Sequence, residues 1–187
     1  MELLAQTYLR SGKSLQDLKE EHGIDVTVFN GKINLNYNQI ASKERDALAQ
    51  QCRGLILREH TFDVVACPMF RFFGTGRTEF AAKLDPETTR DIEKKDGTLC
   101  DVYFDDVMKF WCVGTRNRPE GDGRVAGANC TYAELVDKTV AKITNGKFKN
   151  LNELMNELTI DLIDPLLRFT WCFELCTPFN QVYCEHD

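Results

Sequence analysis

The sequence has no apolar run long enough to span a membrane. Its opening, MELLAQTYLRSGKSLQDLKEEHG, brings acidic residues early and has no apolar signal core, which argues against a secretory leader. An excess of positive charge is also missing. Lys and Arg total 23 against 29 Asp and Glu, for a net charge of -6. The molecule as a whole is therefore not built to grip nucleic acid, and any phosphate-binding surface has to be local. There is no internal repeat, no low-complexity tract and no linker rich enough to separate domains. The remainder is a globular composition, 43% apolar and 28% charged over 187 residues, enough for one domain with one sizeable core.

Cysteine is plentiful, at positions 52, 67, 100, 112, 130, 172, 176 and 184. Without a secretion signal, and with most of these inside strand-like apolar runs, they read as reduced, buried thiols of a cytosolic protein. Cys172, Cys176, Cys184 and His186 form C-x3-C-x7-C-x-H, which matches no common zinc spacing. A strand accounts equally well for the first two.

Periodicity gives the element order. Residues 1–23 read as helix, with Ser14 and Asp17 as a capping box and Gly23 as the stop. In IDVTVFNGKINLNY two alternating runs flank Asn30-Gly31, a strong hairpin signal. ASKERDALAQQ is open between short helix and loop. RGLILREHTFDVVACPMF predicts two strands closed by Pro68, and RFFGTGRTEF a loop. TLCDVYFDDVMKFWCVGT predicts a hairpin turning near Asp105-Asp106. NRPEGDGRVAGAN reads as a polar loop with glycines, free to move.

Two helices follow. The first is capped by Thr131 and Glu134, with Leu135, Val136, Thr139, Val140 and Ile143 on one face. The second opens at Asn150 and Glu153, carries Leu151, Leu154, Met155, Leu158 and Leu162, and ends at Pro165. RFTWCFELCTPFNQVY predicts a strand, a turn at Thr177-Pro178 and the start of another strand. Hairpins, then helices, then strand is an α+β order on antiparallel sheet.

The chemistry centres on DIEKKDGTLC. By itself Lys94-Lys95-Asp96-Gly97 also reads as a solvated Asp-Gly turn. A lysine amine attacks phosphorus only when deprotonated, and neighbouring cations and a water-poor pocket favour that form. Lys95 is adjacent, and Arg53, Arg71 and Arg77 stand upstream on predicted strand ends and a loop. Gly97 lets backbone approach a ligand closely. Such a set suits attack on a phosphate.

CRGLIL (52–57), PMFRFF (68–73), KKDGTL (94–99) and FELCTPFNQVY (173–183), with NYNQI (36–40) ahead of them, resemble in this order the N-terminal part of a covalent nucleotidyltransferase. The likeness is to the type-one RNA ligase family, the tRNA-repairing ligases of T-even bacteriophages, and it runs from about residue 24 onward. DNA ligases and capping enzymes share K-x-D-G but not this approach to it. The resemblance implies an antiparallel-sheet adenylation domain, ATP and magnesium, and RNA ends as substrates, in the cytoplasm of a cell or of a viral host. It implies that Lys94 attacks the α-phosphorus of ATP and becomes lysyl-AMP, that the adenylyl group passes to an RNA 5′-phosphate, and that a 3′-hydroxyl displaces AMP.

Under the same resemblance Arg53 and Arg71 contact phosphate. Lys95, Asp96 and Gly97 complete the motif that positions the nucleotide or the RNA end, and Glu174 holds the ribose. Strand alternation independently sets Cys172, Glu174 and Cys176 on one face and Trp171, Phe173 and Leu175 on the core face. Arg116 falls where the family has a basic residue, but Asn117 stands in place of the usual small neighbour. A solvated arginine is the alternative there.

The family's later glutamate-glycine and lysine-pair motifs do not follow Glu174, after which thirteen residues end in QVYCEHD. Glu120-Gly121 and Lys147 with Lys149 match in composition but precede Glu174. The expectation is therefore a partial adenylyltransferase domain over 1–187, with a helical segment at 1–23 and the motifs at 24–187. It would be a portion of a longer ligase, or a short chain completed by a second one, and poorly active alone. A binding module without catalysis is the alternative.

Overall fold

The computed structural model describes residues 2–81, 83–159 and 169–179. Leu162, Pro165, Cys184, His186 and the strand expected after residue 179 lie outside them. The elements in chain order are α1 (Leu4–Arg10), α2 (Leu15–His22), β1 (Ile24–Phe29), β2 (Lys32–Tyr37), α3 (Ala47–Gln51), β3 (Arg53–Arg58), β4 (Val64–Ala66), β5 (Thr98–Asp105), β6 (Phe110–Thr115), α4 (Tyr132–Ile143), α5 (Leu151–Thr159) and β7 (Trp171–Leu175). The architecture is mixed helix and antiparallel sheet. A four-stranded sheet runs β1-β2-β3-β4 and a three-stranded sheet runs β6-β5-β7. No helix among the described residues is long and apolar enough to cross a membrane.

Local chemistry explains most boundaries. The N-terminal helical stretch divides at Ser11-Gly12 into two helices. The second begins where Ser14 accepts from the Asp17 amide and Asp17 accepts from Ser14, and it ends at Gly23 in the left-handed region. Asn30 and Gly31, both at positive φ, turn β1 into β2. Asp46 caps α3 through the Leu48 and Ala49 amides, which resolves the ambiguous stretch as helix. Thr131 and Glu134 form the capping box of α4, and Asn150 accepts from the Glu153 amide ahead of α5.

Three layers of packing follow. Ile33, Leu35, Leu55 and Leu57 of the larger sheet bury against Ala5, Leu9, Leu18, Leu48 and Ala49 of α1–α3. Cys100, Val102, Trp111 and Val113 of the smaller sheet bury against Leu135, Val136, Val140, Leu151 and Met155 of α4 and α5. The two sheets turn their other faces to each other, where Ile56, Ala66, Tyr103 and Cys112 make a small apolar cluster between them.

Several expectations change in three dimensions. Ile143, at 68% exposure, and Leu158, at 61%, lie on the predicted apolar stripes but outside the packed area. Trp171 and Phe173 pair with Val102 and Cys100 and so share the helix-facing side, yet they are exposed; only Leu175 is buried. Among the described residues β7 borders β5 alone, and α4 and α5 do not bury its aromatic side chains. Cys172 and Cys176 are exposed rather than buried, while Cys52, Cys100, Cys112 and Cys130 are buried and all of these are free thiols. The polar loop after β6 is anchored, not free. Val125 sits in the helix-side core, and Glu120 is ion-paired to Lys32.

Candidate functional site

The cleft between the sheets is built around an irregularity in β3. Asn36 of β2 pairs with Arg53, while the preceding Leu35 pairs with Leu55, so Gly54 is an extra residue in the ladder. Leu55 and Leu57 face the helices. In an unbroken strand residue 53 would face them too, because i and i+2 share a side. The bulge turns Arg53 to the side of Asn36, which faces the smaller sheet. Gly54 permits this with φ +84°, and a Cβ there would meet the Arg116 Cα and an Asp101 carboxylate oxygen, each at 3.4 Å. The signal for this feature is a glycine inside a strand pattern, in CRGLIL.

Opposite Arg53 lies the β5–β7 pair. Its register sets Asp101 against Cys172 and Leu99 against Glu174. The charges of Arg53 and Asp101 act on each other, and the Cys172 thiol lies against the Asp101 carboxyl. Glu174 is two residues from Cys172 on the same side of β7, about 7 Å along the strand. Arg53 and Glu174 therefore face one cleft. Glu174 itself is exposed.

The K-x-D-G segment reaches this cleft at its glycine end. A Cβ on Gly97 would come within 2.4 Å of the Leu175 carbonyl oxygen, so only glycine lets the chain pass this close to β7. Asp96 is buried, at 8% exposure. Lys94 is exposed rather than enclosed, and its amine has no ion-pair or hydrogen-bond partner among the described residues. Lys95 is exposed too and pairs with Glu93 at 2.7 Å. Arg77 stays within its own loop, packed over Gly74.

A second group of cations surrounds Tyr37. The guanidinium carbon of Arg71 lies 4.4 Å from the Tyr37 ring centroid and that of Arg116 lies 4.6 Å from it. Arg71 is held by its amide, which donates to the Gln50 carbonyl at 2.7 Å. Arg116 Nε donates to Asn36 Oδ1 at 3.0 Å, and Asn36 Nδ2 donates to Asn117 Oδ1 at 2.9 Å. Arg116 is thus half-buried and engaged, not a solvated arginine, and Asn117 takes part in holding the sheets together. Tyr37, Arg116, Asn36 and Asn117 line an open depression of about 250 Å³. Arg53 stacks separately, 5.0 Å from the Phe72 ring centroid.

Six buried side-chain polar atoms lack a hydrogen-bond partner among the described residues. Four of them are Arg53 Nη1, Arg71 Nη1 and both Asp101 oxygens. Buried donors and acceptors are ordinarily paired, so a concentration of unpaired ones marks a place the fold leaves for other chemistry. Asp101 was not legible as a site residue, since TLCDVYF gives it only a strand position. Burial pushes its carboxyl up to about 7, and the Cys172 thiol and the Arg53 charge offset this only in part.

At the other end of the cleft every charge is matched. Lys32 Nζ lies 2.8 Å from Asp105 Oδ2 and 2.5 Å from Glu120 Oε1, and Arg58 Nη2 lies 3.1 Å from Asp105 Oδ1. Burial opposes ionisation of Asp105. Hydrogen bonds from Lys32, Arg58 and the Met108 amide outweigh it and hold the carboxyl well below the usual range. This cluster joins the sheets and gave no signal in the sequence.

The donor set suits an anion. Arg53, Arg71 and Arg116 offer planar donors for phosphate oxygens, and two of the three keep an unused buried nitrogen. Among the described residues no three His, Cys, Asp or Glu side chains converge on a metal position. No family model matches the chain, and no curated protein matches it.

Proposed function

We propose that this cleft is the nucleotide-binding part of a lysine-based nucleotidyltransferase site of the RNA-ligase kind, with Lys94 as the nucleophile. The observation that carries the reading is convergence. Arg53 on its bulge faces the strand pair that carries Asp101 and Glu174, Gly97 is seated on Leu175 of that pair, and Arg116, whose backbone lies beside Gly54, shares the Tyr37 ring with Arg71.

In this reading the Lys94 lone pair attacks the α-phosphorus of ATP. A nitrogen–phosphorus bond forms, the bond from the α-phosphorus to the bridging oxygen breaks, pyrophosphate leaves with the electron pair, and the amine loses its proton. An RNA 5′-phosphate oxygen then takes the adenylyl group and frees the lysine. A 3′-hydroxyl finally attacks that 5′-phosphorus and AMP departs. The unused nitrogens of Arg53 and Arg71 serve the phosphate oxygens, where charge builds up in the transition state. Glu174 accepts from ribose hydroxyls. Magnesium would arrive on the triphosphate, where it offsets charge. The exposed Lys94 must be enclosed before it reacts, so the chain alone is expected to react weakly.

Incubation with α-labelled ATP and magnesium, followed by a denaturing gel, tests this. The expected result is labelling far below one AMP per chain, abolished by Lys94→Ala. Label that survives Lys94→Ala, or ATP that neither labels the chain nor raises its Tm, refutes the assignment. Stoichiometric labelling refutes the requirement that Lys94 be enclosed first.

A second reading, a module that binds nucleotide or a partner chain without turnover, is favoured by the exposure of the Lys94 side chain. Native mass spectrometry separates the two, since an AMP adduct belongs only to the first.

A further inference from the structure

Asp101 has no assigned part in the proposed reaction, and it is unusual on three counts. It is fully buried, at 0% exposure. Among the described residues neither carboxyl oxygen has a well-formed hydrogen bond, and neither does Arg53 Nη1 across the cleft. Asp101 and Arg53 feel each other's charge without forming an ion pair among the described residues, although an Asp101 oxygen lies beside Gly54, the bulge residue next to Arg53.

The groups facing Asp101 from each side can be named. They are Arg53 from β3, Cys172 from β7 with Glu174 two residues further on, Cys67 from the segment leaving β4, and the Arg116 backbone beside Gly54. Burial pushes the Cys172 thiol up to about 11 and the Cys67 thiol upward as well, so neither thiol changes charge near neutrality.

We propose that Asp101 is a positioning residue for Arg53: neutral, it leaves the guanidinium to an incoming phosphate; ionised, it captures the unpaired Nη1 and withdraws that charge from the cleft. Only two charge states of one buried pair are needed. A buried carboxyl with only a thiol beside it is neutral at lower pH, and a guanidinium keeps its charge. Among the described residues Arg53 is the cation whose charge acts on Asp101, and a buried ion pair takes both groups out of play for a ligand. The carboxyl's rise to about 7 sets this exchange in the physiological range. An aspartate on a central strand thus becomes a proton-dependent control on phosphate affinity. This rests on the nucleotide reading only for what Arg53 holds.

Two measurements test it. In ligand-free protein, carboxyl-carbon NMR should show Asp101 titrating near neutrality, and the Arg53 Nε–H resonance should move with the same midpoint. ATP affinity should then be measured against pH for wild type and for Asp101→Asn, which is permanently neutral. The ratio of the two cancels the nucleotide's own titration. It should be close to one in mild acid and favour Asp101→Asn by about tenfold above neutrality, as a one-unit coupling requires. An Asp101 carboxyl that titrates in the ordinary carboxylate range, or an Arg53 resonance that ignores it, overturns the proposal, and so does a flat ratio with ATP bound. If the two resonances share a midpoint but ATP binds neither protein, the coupling stands and only the nucleotide reading falls. The wild-type titration needs no variant, so a misfolded Asp101→Asn would not shelter the idea.

Discussion

Asp101 and Asp105 sit four residues apart on one strand, on the same side of it, both fully buried between the same two sheets. At Asp105 the opposite sheet supplies Lys32 and Arg58, the local turn supplies backbone amides, and the carboxyl is held ionised. At Asp101 the opposite sheet supplies Arg53, turned in by a bulge, no ion pair forms among the described residues, and the carboxyl is driven toward neutrality. The same side chain, closed to solvent at both places, therefore has opposite consequences. One end of the cleft is a closed ionic joint between sheets. The other is polar and, among the described residues, holds buried groups that lack hydrogen-bond partners.

The sharpest way to break this contrast is Asp105→Ala. It leaves Lys32 buried with Glu120 as its remaining ion-pair partner among the described residues and should destabilise the protein by about 3–5 kcal/mol in urea denaturation, the usual consequence of breaking a buried pair. A change under about 1 kcal/mol would mean the joint is a bystander, as surface pairs commonly are.

The next largest effect has the opposite sign. An unfolded aspartate releases its proton near pH 3.9, whereas native Asp101 keeps it to about 7. Between those values the native state binds more protons, so stability falls as pH rises and levels off above the native value. The full difference corresponds to about 4 kcal/mol at most. Asp101→Asn should remove this slope, giving a variant more stable than wild type above neutrality and similar to it near pH 4, measured as Tm against pH. Asp105 slopes the other way and only in acid, because its stabilisation is lost as the pH falls below the unfolded value toward its depressed native one. Parallel slopes for the two aspartates would refute the comparison.

The smallest expected effect on stability is at the rim. Glu174 is exposed, so Glu174→Gln should change stability by less than about 0.5 kcal/mol. Under the nucleotide reading it should nevertheless weaken ATP-dependent labelling severalfold. Unchanged labelling would remove Glu174 from the site.

Much of this was readable in advance. Capping pairs at Ser14–Asp17 and Thr131–Glu134, the Asn30-Gly31 turn, the hairpin at Asp105-Asp106 and the side of β7 that carries Glu174 all follow from patterns only a few residues long. The candidate site was partly readable. Lys94, Gly97, Arg53 and Glu174 stand out by type and order, but nothing local says that Arg53 leaves the face its strand position assigns. Asp101 and the Lys32–Asp105–Arg58 joint escaped notice, because a charged residue in an alternating strand looks the same whether it meets water, a cation or nothing.

The boundary between the two kinds of information is therefore physical. Chain-local effects such as caps, turns and alternation are written in neighbouring residues, since the atoms involved are bonded close together, whereas the demand for glycine at 97 comes from the Leu175 carbonyl across β7. Which aspartate is paired and which is left alone depends on the groups that the opposite sheet delivers. That delivery depends on one inserted residue in β3 and on how two sheets share their inner faces. Electrostatic environment is a property of position in space, and only the folded arrangement decided it.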